Sequence, residues 1–298
     1  MKIHACLMTQ NEQKDLVENV TLLLRYVDSV TIVDGGSNDQ TIPYMRNWSQ
    51  KNSKIRFFIH PWQDNFPAQR NNYLARVSEV ATDGDWLLCL DPDEFVHEDS
   101  LKVLRTCISE AETKGCNMVG FQCFSQSYKG EVCVWENKDQ YWKRFLIKWS
   151  PSLKYGAVGG QVHEFLGGLD QRIWDPSNNI NSLTPLFYDH RKQENIIWQR
   201  GLRNMWIGGG GPNGQHDHIN DWKKLRDISS RLGHNDWHSF YKYLLKGNID
   251  QELKDWMVEH MNDSWGDGSS EFREAYKTYF RLLHPEEEKD EYRGIHIQ

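Results

Sequence analysis

No window of the chain approaches the roughly 18 consecutive apolar residues of a membrane-spanning helix, and the start MKIHACLMTQNE lacks the charged, apolar and small-residue blocks of a secretory leader. A soluble, cytoplasmic protein without an integral membrane segment is expected. There is no CxxC pair: the six cysteines (Cys6, Cys89, Cys107, Cys116, Cys123, Cys133) lie in the first 133 residues, several inside apolar runs, and read as reduced packing thiols. Long Lys/Arg runs are missing too, and with a net charge of −7 the composition argues against nucleic acid as the main partner. No strongly basic amphipathic helix supports a membrane-surface role. What remains is an ordinary globular composition, 298 residues with 38% hydrophobic, and an unusual count of thirteen tryptophans.

Along the first ninety residues two periodicities alternate. Ile3–Met8, Val30–Val33, Ile55–Ile59 and Trp86–Leu90 are short apolar runs that read as strands. Between them lie helical spacings: Leu16, Val17, Val20, Leu23, Leu24 and Val27, then a stretch near 40–52, then one after Pro67. Such βαβ repetition predicts an α/β fold with a mostly parallel sheet covered by helices, because a parallel connection needs a crossover. Ligands of such sheets bind beyond the strands' carboxyl ends. The polar loops fall there: Thr9-Gln10-Asn11-Glu12, Asp34-Gly35-Gly36-Ser37-Asn38-Asp39, Pro61-Trp62 and Asp91-Pro92-Asp93-Glu94. From about 118 to 190 the pattern turns β-rich, and beyond Arg191 apolar stripes at helical spacing predict a helical lobe. The expected division is 1–190 for the catalytic domain and 191–298 for the lobe. The glycines of Gly208–Gly214 mark a connector or a loop over a site.

Three carboxylates within four residues at a strand end demand a compensating cation, since close carboxylates raise one another's pKa. Asp91 and Asp93 share a side of an extended segment. All-oxygen ligands favour Mg²⁺ or Mn²⁺, with phosphate oxygens completing the shell. The bland alternative makes Asp91 a turn residue and Asp93 a helix cap. Glu94 is assigned support of a following helix start or orientation of its neighbours.

The segments MTQNE, VDGGSNDQT, FPAQRNNYLARV and GDWLLCLDPDEF, in that order, resemble family-two glycosyltransferases with the GT-A fold. Lys143-Arg144-Phe145 and Gln161-Val162-His163-Glu164 further resemble a bacterial lipopolysaccharide-type branch. The resemblance implies a GT-A fold and transfer of a sugar, with inversion, from a nucleotide-sugar donor (a UDP-sugar is favoured) to an acceptor hydroxyl. It implies that Asn11 and Glu12 line the nucleoside pocket, with Thr9, Gly36 and Pro92 in the same loops, and that Asp34 recognises the base. Asp91 contacts ribose or metal, Asp93 ligates Mn²⁺ or Mg²⁺, and Arg70 and Arg144 approach the donor. Pro92 stands where the family commonly has Ala.

The proton acceptor is expected after the DxD. Glu164, beside Gly159-Gly160, is the first choice; Asp189 is its rival and Asp64 a weaker one, while His190 is a candidate additional metal ligand. His216-Asp217-His218 lacks a third spaced ligand and reads as structural. Trp62, Trp135 and Trp142 are candidates for stacking on sugar. Two other readings stay open: a phosphotransferase resembling the haloacid dehalogenase group, whose DxD follows the first strand, and a catalytically silent nucleotide- or glycan-binding module.

Overall fold

The computed structural model describes residues 1–129, 132–157, 164–174, 186–193 and 227–235, with isolated positions between 239 and 253. The chain opens as β1 (Ile3–Thr9), α1 (Gln13–Leu23), β2 (Ser29–Asp34), α2 (Thr41–Lys51), β3 (Ile55–Ile59), α3 (Phe66–Val77) and β4 (Trp86–Leu90). Then follow β5 (Glu94–Val96), α4 (Glu98–Thr113), β6 (Met118–Lys129), β7 (Val132–Lys148), β8 (Lys154–Ala157), β9 (Glu164–Gly167), β10 (Ile173–Trp174) and β11 (Phe187–Gln193). The large sheet runs β3-β2-β1-β4-β7-β6-β11-β5, with β10 beside β6. Its first four strands are parallel, as the βαβ pattern predicts; β7 then joins β4 antiparallel, so the sheet is mixed.

Period-two alternation divides the core between the two faces of the sheet. Ile3, Ala5 and Leu7 of β1 pack with Leu16, Val20 and Leu23 of α1 and with Leu101, Leu104 and Ile108 of α4. Cys6 and Met8, pointing the other way, pack with Tyr73, Leu74 and Val77 of α3. Both faces are covered, and polar chemistry is left to the strand ends. All six cysteines are free, four of them buried.

In the region expected to be β-rich, residues 132–148 form one 17-residue strand, β7, paired with β6 through three register shifts. Of the two roles given to Glu94, helix-start support is corrected, while contact with its neighbours is seen: its carboxylate accepts from the Asp91 amide and pairs with Lys143. The helix after the acidic turn starts only at Glu98, and Glu94 lies in the three-residue strand β5. Long-range pairing with β11, antiparallel with Tyr188 opposite Val96 and His190 opposite Glu94, makes this short segment extended.

One compact unit comprises Met1–Ala157 and Glu164–Lys192; a second comprises Val158–His163 and Gln193–Gln298. In the second, residues 227–231 are helical and Arg231 forms a two-pronged ion pair with Glu252, both contacts 2.8 Å. Most of the expected helical lobe lies outside the described residues, as do Gly208–Gly214 and His216-Asp217-His218.

Candidate functional site

The first two loops are tied into one frame. Thr9 and Asp34 end adjacent strands in register, and the Gly35 amide donates to the Thr9 carbonyl at 2.8 Å. The buried Asp34 carboxylate accepts from the amides of Gly36 and Ser37 and from the Ser37 hydroxyl, each at 2.7 Å. Ser37 Oγ in turn accepts from the Asn11 amide at 2.8 Å, and Asn11 Oδ1 accepts from the Asn38 amide at 2.8 Å. Asn11 sits at φ 58°, a left-handed conformation that Asn tolerates better than most residues. Gly36, at φ +91°, occupies backbone space open to glycine. Asp34 thus organises the loop after β2 from within. Glu12 stands at the N-cap position of α1 without a side-chain cap bond. The Thr9 hydroxyl is buried with no partner among the described residues.

The acidic turn is held from several elements. The Glu94 amide donates to the Asp91 carbonyl at 3.0 Å, and the Asp91 amide donates to Glu94 Oε2 at 2.8 Å. From α1, the side-chain amide of buried Asn19 donates to the carbonyls of Pro92 at 3.2 Å and Glu94 at 2.8 Å. Arg70, one turn into α3, faces Asp91 with both terminal nitrogens, each 3.2 Å from a carboxylate oxygen. Its Nε donates to Glu164. On the other side Lys143 Nζ lies 3.7 Å from Asp91 Oδ2 and pairs with Glu94. Charges therefore alternate along Glu164, Arg70, Asp91, Lys143 and Glu94.

Burial alone would lift the Asp91 carboxyl, but Arg70 and then Lys143 draw it below the usual carboxylate range. Burial prevails at Glu94, whose carboxyl is raised despite Lys143. Arg70 is desolvated, yet Asp91 and Glu164 push its pKa up. Lys143 behaves alike: burial works against its charge, and Glu94 and Asp91 outweigh it.

Asp93 points elsewhere. It is buried, its carbonyl accepts from the Arg191 amide at 2.8 Å, and its Oδ2 lies 3.3 Å from His190 Nε2. The other ring nitrogen, His190 Nδ1, is buried with no partner among the described residues. Neighbouring strand residues point to opposite faces, so Asp189 leaves this cluster and meets His97 Nε2 at 2.6 Å. The structure brings His190 to the acidic turn and Asp189 away from it.

No group of three His, Cys, Asp or Glu side chains is preassembled for a metal among the described residues. Asp93 and His190 nevertheless fit one. Asp93 Oδ2 and His190 Nε2, 3.3 Å apart, would offer one oxygen and one nitrogen donor to the same ion. A carboxylate with an imidazole would suit Mn²⁺ better than Mg²⁺, which keeps to oxygen ligands.

Among the other expected residues, Trp62 donates from Nε1 to Asp64 Oδ1 at 2.8 Å and packs edge-on against Phe66, bracing the entry to α3. The side chains of Arg144, Trp135 and Trp142 lie outside the described residues. Asn19 and Lys143 were missed. Lys143 lies in β7 opposite Phe121, beside a register shift that breaks the strand's period of two, so alternation along the strand does not reveal its place. Asn19 had only its place among the apolar positions of α1.

The chain matches the model of a family described as Glycosyl transferase family 2 over residues 5–161. It is 28% identical over 112 residues to a TPR repeat-containing protein of Synechococcus elongatus, a stretch that covers 37% of this chain and 25% of that protein. A mannosyltransferase from Pyrobaculum calidifontis, solved with GDP-Man and Mn²⁺, aligns over 96% of this chain and 88% of its own at 11% identity and TM-score 0.45. TarS 1–349 of S. aureus aligns over 95% and 83% at 11% identity and TM-score 0.40. At such scores these likenesses give no residue a role.

Proposed function

The chain belongs to glycosyl transferase family 2, and we propose that it moves a sugar from a nucleoside-diphosphate donor, a UDP-sugar by preference, to an acceptor hydroxyl, with Mn²⁺ or Mg²⁺ and with inversion. The charge balance at the acidic turn carries this reading. Asp91, Glu94 and Glu164 pair with the cations Arg70 and Lys143, and Asp93 adds a fourth carboxylate beside His190, an excess of two formal negative charges when the four carboxylates and two cations are ionised and the imidazole is neutral. A diphosphate would be repelled from such a site, and one divalent cation cancels the excess.

In this reading Asp93 and His190 hold the ion, which supplies neutralisation of charge growing on the departing diphosphate. The frame of Thr9, Asn11, Glu12, Asp34 and Gly36 receives the nucleoside, Asp34 by keeping the loop open and its amides in place. Pro92 restricts the turn between the two aspartates. Glu164 is the proposed base: Arg70 Nε orients it, and a carboxylate has further lone pairs for the acceptor's proton. Asp189, paired with His97, is the weaker choice.

The Glu164–Arg70 pair also favours an alternative, a catalytically silent module in which Glu164 is only structural. Nucleotide release measured over UDP-, GDP-, dTDP- and CMP-sugars, with and without Mn²⁺, separates the two. Turnover with at least one donor is expected, falling by about 100-fold or more in Asp93→Asn. Absence of turnover with every donor, or activity that survives both chelation and Asp93→Asn, sinks the transferase reading. Full activity in Glu164→Gln removes only the base assignment.

A further inference from the structure

Two of the buried thiols meet on neighbouring strands. β1 and β4 are parallel, with Cys6 in register opposite Cys89, and both side chains point to the α3 face, among Tyr73, Leu74, Val77 and Tyr155. Both are free. Neighbouring strands run about 4.8 Å apart, inside the span of roughly 4.4–6.8 Å between α-carbons that a disulfide bridges. The Cys6 thiol already donates a hydrogen bond to the Cys89 sulfur. That sulfur also accepts from the Tyr155 hydroxyl, which accepts in turn from the Tyr73 hydroxyl at 3.0 Å. Tyr155 lies on β8 and carries the Arg70 guanidinium over its ring, 5.8 Å from the centroid. Packing explains one buried cysteine, but it does not require two sulfurs in hydrogen-bond contact beneath a tyrosine pair. We propose that Cys6 and Cys89 are a redox couple: a peroxide oxidises them to a Cys6–Cys89 disulfide, and that bond withdraws the Cys89 sulfur from Tyr155 and loosens the seat of β8 beneath Arg70.

The chemistry is a two-electron oxidation. The Cys89 sulfur, 5% exposed where Cys6 is 0%, attacks one oxygen of hydrogen peroxide; the O–O bond breaks, and the released hydroxide takes the thiol proton and leaves as water. The Cys6 sulfur then attacks the sulfur of the Cys89 sulfenic acid, the S–O bond breaks, and a second water leaves with the Cys6 proton. Two thiols lose two hydrogens, and one peroxide becomes two waters. Closing the bond draws Cys89 toward β1, so the buried Tyr155 hydroxyl loses its acceptor. Side chains at the strand spacing start slightly farther apart than the about 3.8 Å between β-carbons of a relaxed disulfide, which places this one among the labile bonds that thiol reductants reopen.

The test treats the folded full chain with hydrogen peroxide, removes the excess with catalase, and maps the cysteines by mass spectrometry after alkylation and digestion without reductant. The expected product is one peptide pair joined through Cys6 and Cys89, lighter by two hydrogens and released by dithiothreitol. In Cys6→Ala the pair is absent, and dimedone captures Cys89 as its sulfenic acid. Amide exchange over 154–157 is expected to quicken about tenfold or more in the oxidised wild type, to return on reduction, and to be unaltered by peroxide in Cys6→Ala. Since Cys6→Ala leaves a small void in the core, Cys6→Val is carried beside it with the same expectations. The proposal is overturned by wild-type protein whose exposed Cys133 is oxidised while Cys6 and Cys89 stay reduced, or by a link that forms only in urea. A disulfide that leaves exchange at 154–157 unchanged overturns it too, as does equal quickening in both Cys6 variants. No arm uses a sugar nucleotide, so these outcomes are independent of the transferase reading.

Discussion

Asn19 ties α1 to the acidic turn by two donated hydrogen bonds, to the carbonyls of Pro92 and Glu94. Its removal strands two carbonyl acceptors in a buried place, which costs more than the bonds themselves contribute. Asn19→Ala is expected to lower unfolding free energy by about 2 kcal/mol, measured by urea denaturation at neutral pH. An unchanged midpoint and slope would remove Asn19 from the supports of the turn. At this scale legibility followed chain locality. Asp34, Asp91 and Asp93 stood out because a carboxylate at the end of an apolar strand is anomalous by itself. Asn19 and Lys143 become meaningful only through partners 73 or more and 49 positions away, which no local pattern reveals.

Between elements, the β8–β9 pair carries Glu164 to Arg70 of α3, and α3 also holds β8 at Tyr155. Asn71 donates to the Tyr155 carbonyl at 2.9 Å and accepts from the Tyr155 amide at 2.8 Å, while Tyr73 and Tyr155 join hydroxyls at 3.0 Å. Asn71→Ala should loosen the β8–β9 pair without touching the large sheet. Amide exchange over 154–157 and 164–167 is expected to quicken about tenfold or more, with β1 and β2 unchanged. Equal protection in the variant would mean that side-chain packing alone seats the pair. The four parallel strands were legible as apolar runs separated by helical spacings. The three-residue β5 was not: too short to show a period, it is extended because β11 pairs with it, so of the two roles expected for Glu94, helix-start support gives way to orientation of its neighbours.

For the whole compact unit, the end of the sheet opposite the loops is closed by Asp85. Its carboxylate accepts from the Lys2 amide at 2.6 Å and from the amide and hydroxyl of Thr82, each at 2.9 Å, and it lies 3.4 Å from His4 Nε2. Burial works to raise its pKa, but the donated bonds from Thr82 and Lys2 prevail and bring it from 3.8 to about 2. A depressed folded-state pKa contributes stability above the unfolded value, and that contribution disappears as pH falls toward 2. The shift corresponds to about 2 kcal/mol. The stability difference between wild type and Asp85→Asn, from denaturant titrations, should thus be largest near pH 5 and shrink by pH 2.5. A difference constant across that interval would contradict the assignment.

The same unit contains its own labelling handle. Cys6, Cys89, Cys107 and Cys123 are buried and Cys116 is half-buried, whereas Cys133 is exposed on β7, the strand that carries Lys143. A brief maleimide reaction should therefore modify Cys133 first. Ten residues of strand separate the attached dye from Lys143, about 33 Å at 3.3 Å per residue, a span suited to energy transfer. A fluorescent nucleotide could then be located by optical ruler, with no engineered cysteine in the chain.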